Sequence, residues 1–269
     1  MDEVLAVRYG TRTARRSESY LNFHVYGEAD ASFEMDYFFW VLRGPREVVL
    51  VDCGFDSVVG ERRGRTTLID PLEALAHLGI APADVGRTVV SHAHYDHIGN
   101  LHRFPDAEIV IARREYEFWA GPMAERLQFS HSTERAELDH LGAVAAQGRL
   151  TLVEKTLDLL PGVELTVVGG HTPGQMVVQV AVGSETVVLA ADALHFYEEL
   201  ERDRPFFVVS DLVEMYRGLD LLNEMGTGPG RSLVAGHDAA VRSRFGGRVD
   251  GLPAGVDDLV VRITEGVAA

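Results

Sequence analysis

Apolar and polar positions alternate in short blocks along the first fifty residues. Residues 4–7, 23–26, 37–42 and 48–51 are runs rich in Val, Tyr and Phe, and they read as strands. Gly44-Pro45 marks a tight connection between the last two, and Asp52-Cys53-Gly54 closes the fourth. Residues 55–66 read as a loop. Asp70-Pro71 then opens a helix with Leu72, Leu75, Ala76 and Leu78 on one face and Gly79 as its stop. Strands are predicted at 88–90 and 109–112, a short helix at 113–119 and a longer one at 132–147. Further strands follow at 151–153, 163–168, 176–182 and 186–190, then a helix at 212–225 and a last strand at 233–235. Strand-rich and helix-containing stretches thus occur twice, in rough halves, which suggests two packed sheets with helices outside. With no internal repeat or low-complexity linker, residues 1–269 read as a single domain.

Composition narrows the function classes. The chain has 269 residues, 46% hydrophobic and 25% charged, the profile of a soluble globular protein. Its 41 acidic residues outweigh 25 basic ones for a net charge of −16. The single Lys155 and scattered arginines disfavour a nucleic-acid partner. The densest basic runs are Arg15-Arg16 and Glu61-Arg62-Arg63-Gly64-Arg65, and both read as solvated loops rather than anion sites. One cysteine, Cys53, excludes an intrachain disulfide and reads as structural. No secretory signal is evident, and no apolar run approaches the roughly 18 residues that span a membrane, so a cytoplasmic location without a membrane partner is expected.

The chemistry is concentrated in the histidines. Three of the 11 fall in His92-Ala93-His94-Tyr95-Asp96-His97, directly after a predicted strand. In extended chain, residues two apart share a side, so His92 and His94 can reach one metal while Asp96 and His97 point to a neighbouring position. Imidazole nitrogen and carboxylate oxygen are the ligands expected for Zn, Fe or Mn. Three later residues share one feature, a ligand type at the end of a buried strand: His171 in Gly169-Gly170-His171-Thr172-Pro173-Gly174, Asp192 in Ala190-Ala191-Asp192-Ala193, and His237 in Gly236-His237-Asp238.

His-x-His-x-Asp-His, then Gly-His-Thr-Pro-Gly, then a strand-end Asp, then Gly-His resembles the metallo-β-lactamase superfamily over about residues 48–238. The resemblance implies an α/β fold, a four-layer αββα sandwich with the site at one edge of the sheets. It implies two divalent metal ions, with zinc the first expectation and Fe, Mn or Co as alternatives. His92, His94 and His171 would hold the first, Asp96, His97 and His237 the second, and Asp192 would bridge them. Asp52 matches a position that supports the metal loop.

Length, the full ligand set and the His195-Phe196-Tyr197 stretch make the chain most similar to the N-acyl homoserine lactonase-like group. That similarity implies opening of a lactone by a hydroxide held between the metals, with Asp96 passing a proton to the leaving group. The group has Tyr three residues after the bridging Asp, and here that position is His195. His195 or Tyr197 is the candidate donor to the substrate carbonyl. The expected partner is a small ester or lactone, and a homodimer stays open. Thioester or amide hydrolysis, or iron-dependent redox chemistry, are the alternatives on the same scaffold. Two apolar groups are candidate pocket walls: Tyr20, Leu21 and Phe23, and Phe118, Trp119, Met123, Leu127 and Phe129.

Overall fold

The structure, a computed structural model, describes residues 1–263. The strands are β1 (Glu3–Arg15), β2 (Ser32–Arg43), β3 (Val48–Val51), β4 (Thr66–Thr67), β5 (Val85–Val90), β6 (Glu108–Ala112), β7 (Leu150–Val153), β8 (Thr156–Leu160), β9 (Val163–Val167), β10 (Met176–Val182), β11 (Glu185–Leu189), β12 (Arg231–Val234) and β13 (Val260–Arg262). The first sheet has the order β13-β1-β2-β3-β5-β6-β7, with β4 paired to β1, and the second has the order β12-β11-β10-β9-β8.

The strands of the first sheet are buried on both faces, and their side chains alternate between two cores. On β1 and β2, Leu5, Val7, Tyr37, Phe39 and Val41 enter a core beneath helices. Val4, Ala6, Phe38, Trp40 and Leu42 enter a second core shared with Val163, Leu165, Val178 and Val180 of the other sheet. Complete burial of each such side chain contributes about 1.5–3 kcal/mol, so a one-residue register slip would exchange two full sets of contacts. Leu75 of the helix Pro71–His77 and Leu141 and Val144 of the helix Arg135–Ala146 cover the first sheet. Leu219 and Leu222 of the helix Leu212–Gly226 pack with the second. The result is the four-layer αββα sandwich that the motif order implied. Among the described residues no helix is long and apolar enough to cross a membrane.

Four readings from the sequence need correction. Residues Phe23–Tyr26 are a 3-10 helix, because Asn22 (φ 50°) and Gly27 (φ 65°) both turn left-handed and close the segment into one turn. The presumed loop after Phe55 holds the helix Ser57–Arg62, capped by Asp56, which accepts hydrogen bonds from the Val58 and Val59 amides at 3.0 and 3.3 Å. The long helix begins at Arg135, after a separate turn of helix at Leu127–Ser130. Strands β8 and β13 were not foreseen. The former is the half-exposed outer strand of a hairpin, and the latter is only three residues long at a sheet edge.

Topology brings the His- and Asp-bearing turns together. Strands β3, β5, β6 and β7 run parallel, so Asp52 after β3 and His92 after β5 leave the first sheet at the same end. In the second sheet β9 and β11 are both antiparallel to β10, and β12 is parallel to β11. His171, Asp192 and His237 therefore leave it at one end too.

Glu137 supplies a test of the packing around the helix Arg135–Ala146. Burial, then repulsion from Glu134, Asp96 and Asp56, pushes its carboxyl up to about 8, against Arg63, and its Oε2 has no partner. Its raised value means that stability is highest at low pH and falls as pH rises from the ordinary value of 4.5 through about 8. Glu137→Gln should melt a few degrees above the unsubstituted protein at pH 8.5 and show little difference at pH 4.5. Parallel melting curves at the two pH values, with a constant gap as the contrary result, check this.

Candidate metal centre

His92, His94, Asp96, His97, His171, Asp192 and His237 all come together at this edge, and all are buried. Their proton inventory shows what the arrangement can hold. Ser91 Oγ donates to Asp52 Oδ2 at 2.8 Å and so can accept from His92 Nδ1 at 3.1 Å. His171 Nδ1 lies 2.8 Å from the Val208 carbonyl oxygen, which can only accept. Both rings therefore carry their proton on Nδ1 and turn a bare Nε2 inward. Those two Nε2 atoms each lie 3.0 Å from His94 Nδ1. Three converging nitrogens share at most one proton, which leaves lone pairs facing each other in a buried space. A cation resolves that conflict, and this donor set suits zinc or a similar metal.

The second half repeats the logic. His97 donates from Nδ1 to Asp52 Oδ2 at 2.7 Å, and His237 donates from Nδ1 to the Asp36 carbonyl oxygen at 2.8 Å. Their Nε2 atoms face Asp192 Oδ1 at 3.3 and 3.1 Å and the two Asp96 oxygens at 3.8 Å. His97 Nε2, His237 Nε2 and Asp192 Oδ1 have no hydrogen-bond partner. Asp192 lies between the halves. Its Oδ2 faces His92 and His171 Nε2 at 3.8 and 3.4 Å, while Oδ1 faces the other pair.

The electrostatics agree with this division. Burial holds His92 and His94 well below the usual imidazole range, helped by neighbouring rings, and lowers His171 to about 3. A neutral ring is the form that ligates a metal. For His97 burial acts downward too, but Asp192, Asp52 and Asp96 together raise it. The imidazoles of His237, His195, His97 and His92 hold Asp192 ionised despite its burial.

Supporting residues fix these turns. Asp52, placed here by motif order, accepts from Ser91 N, Ser91 Oγ and His97 Nδ1, and adopts φ 62° to do so. Ala191 is likewise left-handed, at φ 44°, immediately before Asp192. Non-glycine residues in that region are strained by about 1–3 kcal/mol and cluster at functional sites. A Cβ on Gly236 would meet the Ala191 carbonyl oxygen at 2.4 Å, so only glycine lets the His237 turn approach the Asp192 turn. Glu115 was not singled out in the sequence. Fully buried, it accepts from Ala93 N at 2.9 Å, Gly174 N at 2.7 Å and Trp119 Nε1 at 2.6 Å, tying the His94 turn to the His171 turn. Nothing in Arg113-Arg114-Glu115 distinguishes it from surface charge.

His195 and Tyr197 do not occupy the position expected of a carbonyl donor. His195 is fully buried, with Nε2 3.0 Å from Asp192 Oδ2 and Nδ1 3.5 Å from Glu199 Oε1. Burial lowers its pKa, but Asp192 and Glu199 outweigh it and push it up to about 9. Phe206 stacks on its ring at 3.7 Å and lines the cavity in its place. The Tyr197 hydroxyl donates to the Leu233 carbonyl oxygen at 3.1 Å, and its ring lies against the Arg244 guanidinium, away from the cavity. Cys53 is buried, which pushes its thiol up, and its Sγ contacts the His97 carbonyl oxygen at 3.2 Å.

A cavity of about 850 Å³ opens over His94, Asp96, His171, Asp192 and His237, and Tyr20, Leu21 and Phe23 form part of its wall. A second space of about 300 Å³ adjoins His94 and His171 and is lined by Phe118, Trp119, Phe129 and Phe207. Met123 and Leu127, grouped with those aromatics in the sequence, are exposed instead.

An αββα sandwich carrying buried His and Asp clusters at one sheet edge defines the class of protein. The model of the metallo-beta-lactamase superfamily matches residues 36–243, and the chain belongs to that superfamily. The chain is 32% identical over 174 residues to the N-acyl homoserine lactonase AttM of Azorhizobium caulinodans, covering 60% of this chain and 61% of that protein. It is 29% identical over 190 residues to the AttM lactonase of Rhizobium johnstonii, covering 66% of each. The matched region thus spans less than two thirds of these relatives' length. Among solved structures, the dizinc quorum-quenching lactonase AidC superposes with a TM-score of 0.72 at 20% identity, covering 100% of this chain and 97% of that one.

Glu115→Ala would strand the Ala93 and Gly174 amides in a buried setting, at a cost of roughly 1–3 kcal/mol per unsatisfied group. We expect a lower melting temperature together with reduced bound metal, measured by calorimetry and elemental analysis. Wild-type metal content with unchanged stability would show that Glu115 does not hold the two turns.

Proposed function

We propose that this protein is a dinuclear metal-dependent hydrolase that opens a lactone ring, with zinc as the first candidate for both ions. The carrying observation is Asp192, whose two carboxylate oxygens face separate groups of imidazole nitrogens. His92, His94 and His171 would hold one ion, Asp96, His97 and His237 the other, and Asp192 would bridge both. Such a pair supplies acidified water and polarises an ester carbonyl.

The chain's own residues supply the rest. Asp96 lines the cavity, so its carboxylate is a candidate to carry a proton to the leaving alkoxide. His195 is placed to act through the bridging carboxylate rather than on the substrate: its Nε2 lies 3.0 Å from Asp192 Oδ2 and its Nδ1 3.5 Å from Glu199 Oε1. Phe206 and the aromatic wall exclude water from the reacting bond. The lactonase names of the relatives point to the same chemistry for a small cyclic ester.

His94→Ala and Asp192→Asn should each lower lactone opening by more than the roughly 10–100-fold typical of outer-shell positions, with bound metal falling below two ions per chain. Lactones of several ring sizes, assayed beside thioesters and β-lactams with metal content measured on the same samples, test the assignment. Full activity in either variant, or thioester turnover without lactone turnover, would overturn it.

A further inference from the structure

The cavity lining includes cations that the metal chemistry does not use. Arg12 lies on β1 and Arg65 immediately precedes β4. The antiparallel pairing Gly10↔Thr67 and Thr11↔Thr66 brings Arg12 and Arg65 opposite each other one step further on, and both side chains line the cavity. Adjacent like charges repel unless something neutralises them. Elsewhere on this acidic chain arginines commonly have a carboxylate partner, as in Arg8–Asp36, Arg16–Glu198, Arg63–Glu134 and Arg103–Asp70. Among the described residues neither Arg12 nor Arg65 has a carboxylate within 4.0 Å, although Glu18 shares the wall.

Their hydrogen-bonding capacity is largely open. Arg12 has one contact, from Nε to the Met35 sulfur at 3.3 Å. Arg65 uses Nε on the Tyr95 hydroxyl at 2.9 Å and Nη1 on the Arg63 carbonyl oxygen at 2.7 Å, which leaves Nη2 free. These bonds also hold the guanidinium in place. Its Cζ stands 5.9 Å from the Tyr37 ring centroid, and that ring lies 5.0 Å from the His237 ring. The Arg65 guanidinium therefore stands one aromatic ring away from the His237 half of the candidate metal centre.

We propose that Arg12 and Arg65 form an anion-binding wall of this cavity, so that the preferred substrate is a lactone or ester carrying an additional carboxylate or phosphate group. This rests on the hydrolase reading above and adds the substrate's charge to it. A guanidinium presents paired donors that match either anion, and a partly enclosed cavity strengthens the contact. The stretch around Arg63-Gly64-Arg65, which reads in the sequence as a solvated loop, is thereby divided: Arg62 and Arg63 bind Glu134, while Arg65 turns inward.

The test compares a γ-butyrolactone bearing a carboxylate with the same ring bearing the neutral carboxamide, using the metal-loaded protein. The unsubstituted protein should favour the carboxylate by about tenfold or more in kcat/KM, mainly through KM. Arg12→Gln combined with Arg65→Gln should bring the ratio close to one. A ratio of one or less in the unsubstituted protein, or an unchanged ratio in the double variant, overturns the proposal. Arg12→Gln alone carries the test should Arg65→Gln lower metal content, because Arg12 touches no ligand-bearing turn. A phosphate-bearing lactone in the same assay shows which anion is preferred. Failure to open any lactone would count against the hydrolase reading. The arginine wall is then judged by calorimetry with the same two compounds: carboxylate binding that the double variant loses sustains it, and equal binding of both overturns it.

Discussion

Asp192 is an ionised carboxylate in a buried space, reached from two sides by inward-facing imidazole nitrogens, of which those of His92 and His171 carry no proton. Left to themselves these groups would separate, since lone pairs repel and burial penalises charge. They remain together because five strand ends converge on them. The strands are committed to two hydrophobic cores by the alternation of their side chains, and the ligands follow as consequences of where those strands stop. The cores thus hold the polar cluster in an arrangement that only a cation makes favourable.

Around the cluster four of the five rings have their orientation set from the far side. Ser91, Asp52, Asp36 and Val208 take the outer nitrogens of four histidines, and three of those contacts are to oxygens that can only accept. This is how the chain selects the tautomer in which the inner nitrogen is free to ligate. The backbone contributes as well. Asp52 and Ala191 both adopt left-handed conformations, and Gly236 permits an approach that no side chain would allow. Local strain of this kind is sustained by the surrounding packing, and at Asp52 and Ala191 the turns are anchored on strands of the two sheets.

Charge is distributed with equal selectivity. The chain is strongly acidic overall, yet the cavity beside the metal centre presents two arginines with open donors. An acidic exterior with two such arginines in the recess would favour an anion only once it is inside. The metals and the arginines would thus act at opposite ends of one small molecule, with the aromatic rings of Tyr37 and Phe206 between and beside them.

Much of this was legible in residue order. The His-x-His-x-Asp-His segment, the three later strand-end ligands and Asp52 could be named because ligand type and strand end are both local properties, and the αββα layering followed from the motif order. The 3-10 turn at Phe23–Tyr26 and the helix Ser57–Arg62 could not, because left-handed residues and a capping carboxylate decide them against the composition of the segment. The same limit applies to roles. The sequence alone could place His195 near Asp192, but only the packing of Phe206 over its ring turned it from the cavity toward the carboxylate. Glu115 and Arg65 resemble surface charges until the fold buries one between two ligand turns and aims the other inward. What a side chain is was determined by the sequence; which water, proton or neighbour it loses on burial was decided by tertiary structure, because desolvation depends on everything packed around it.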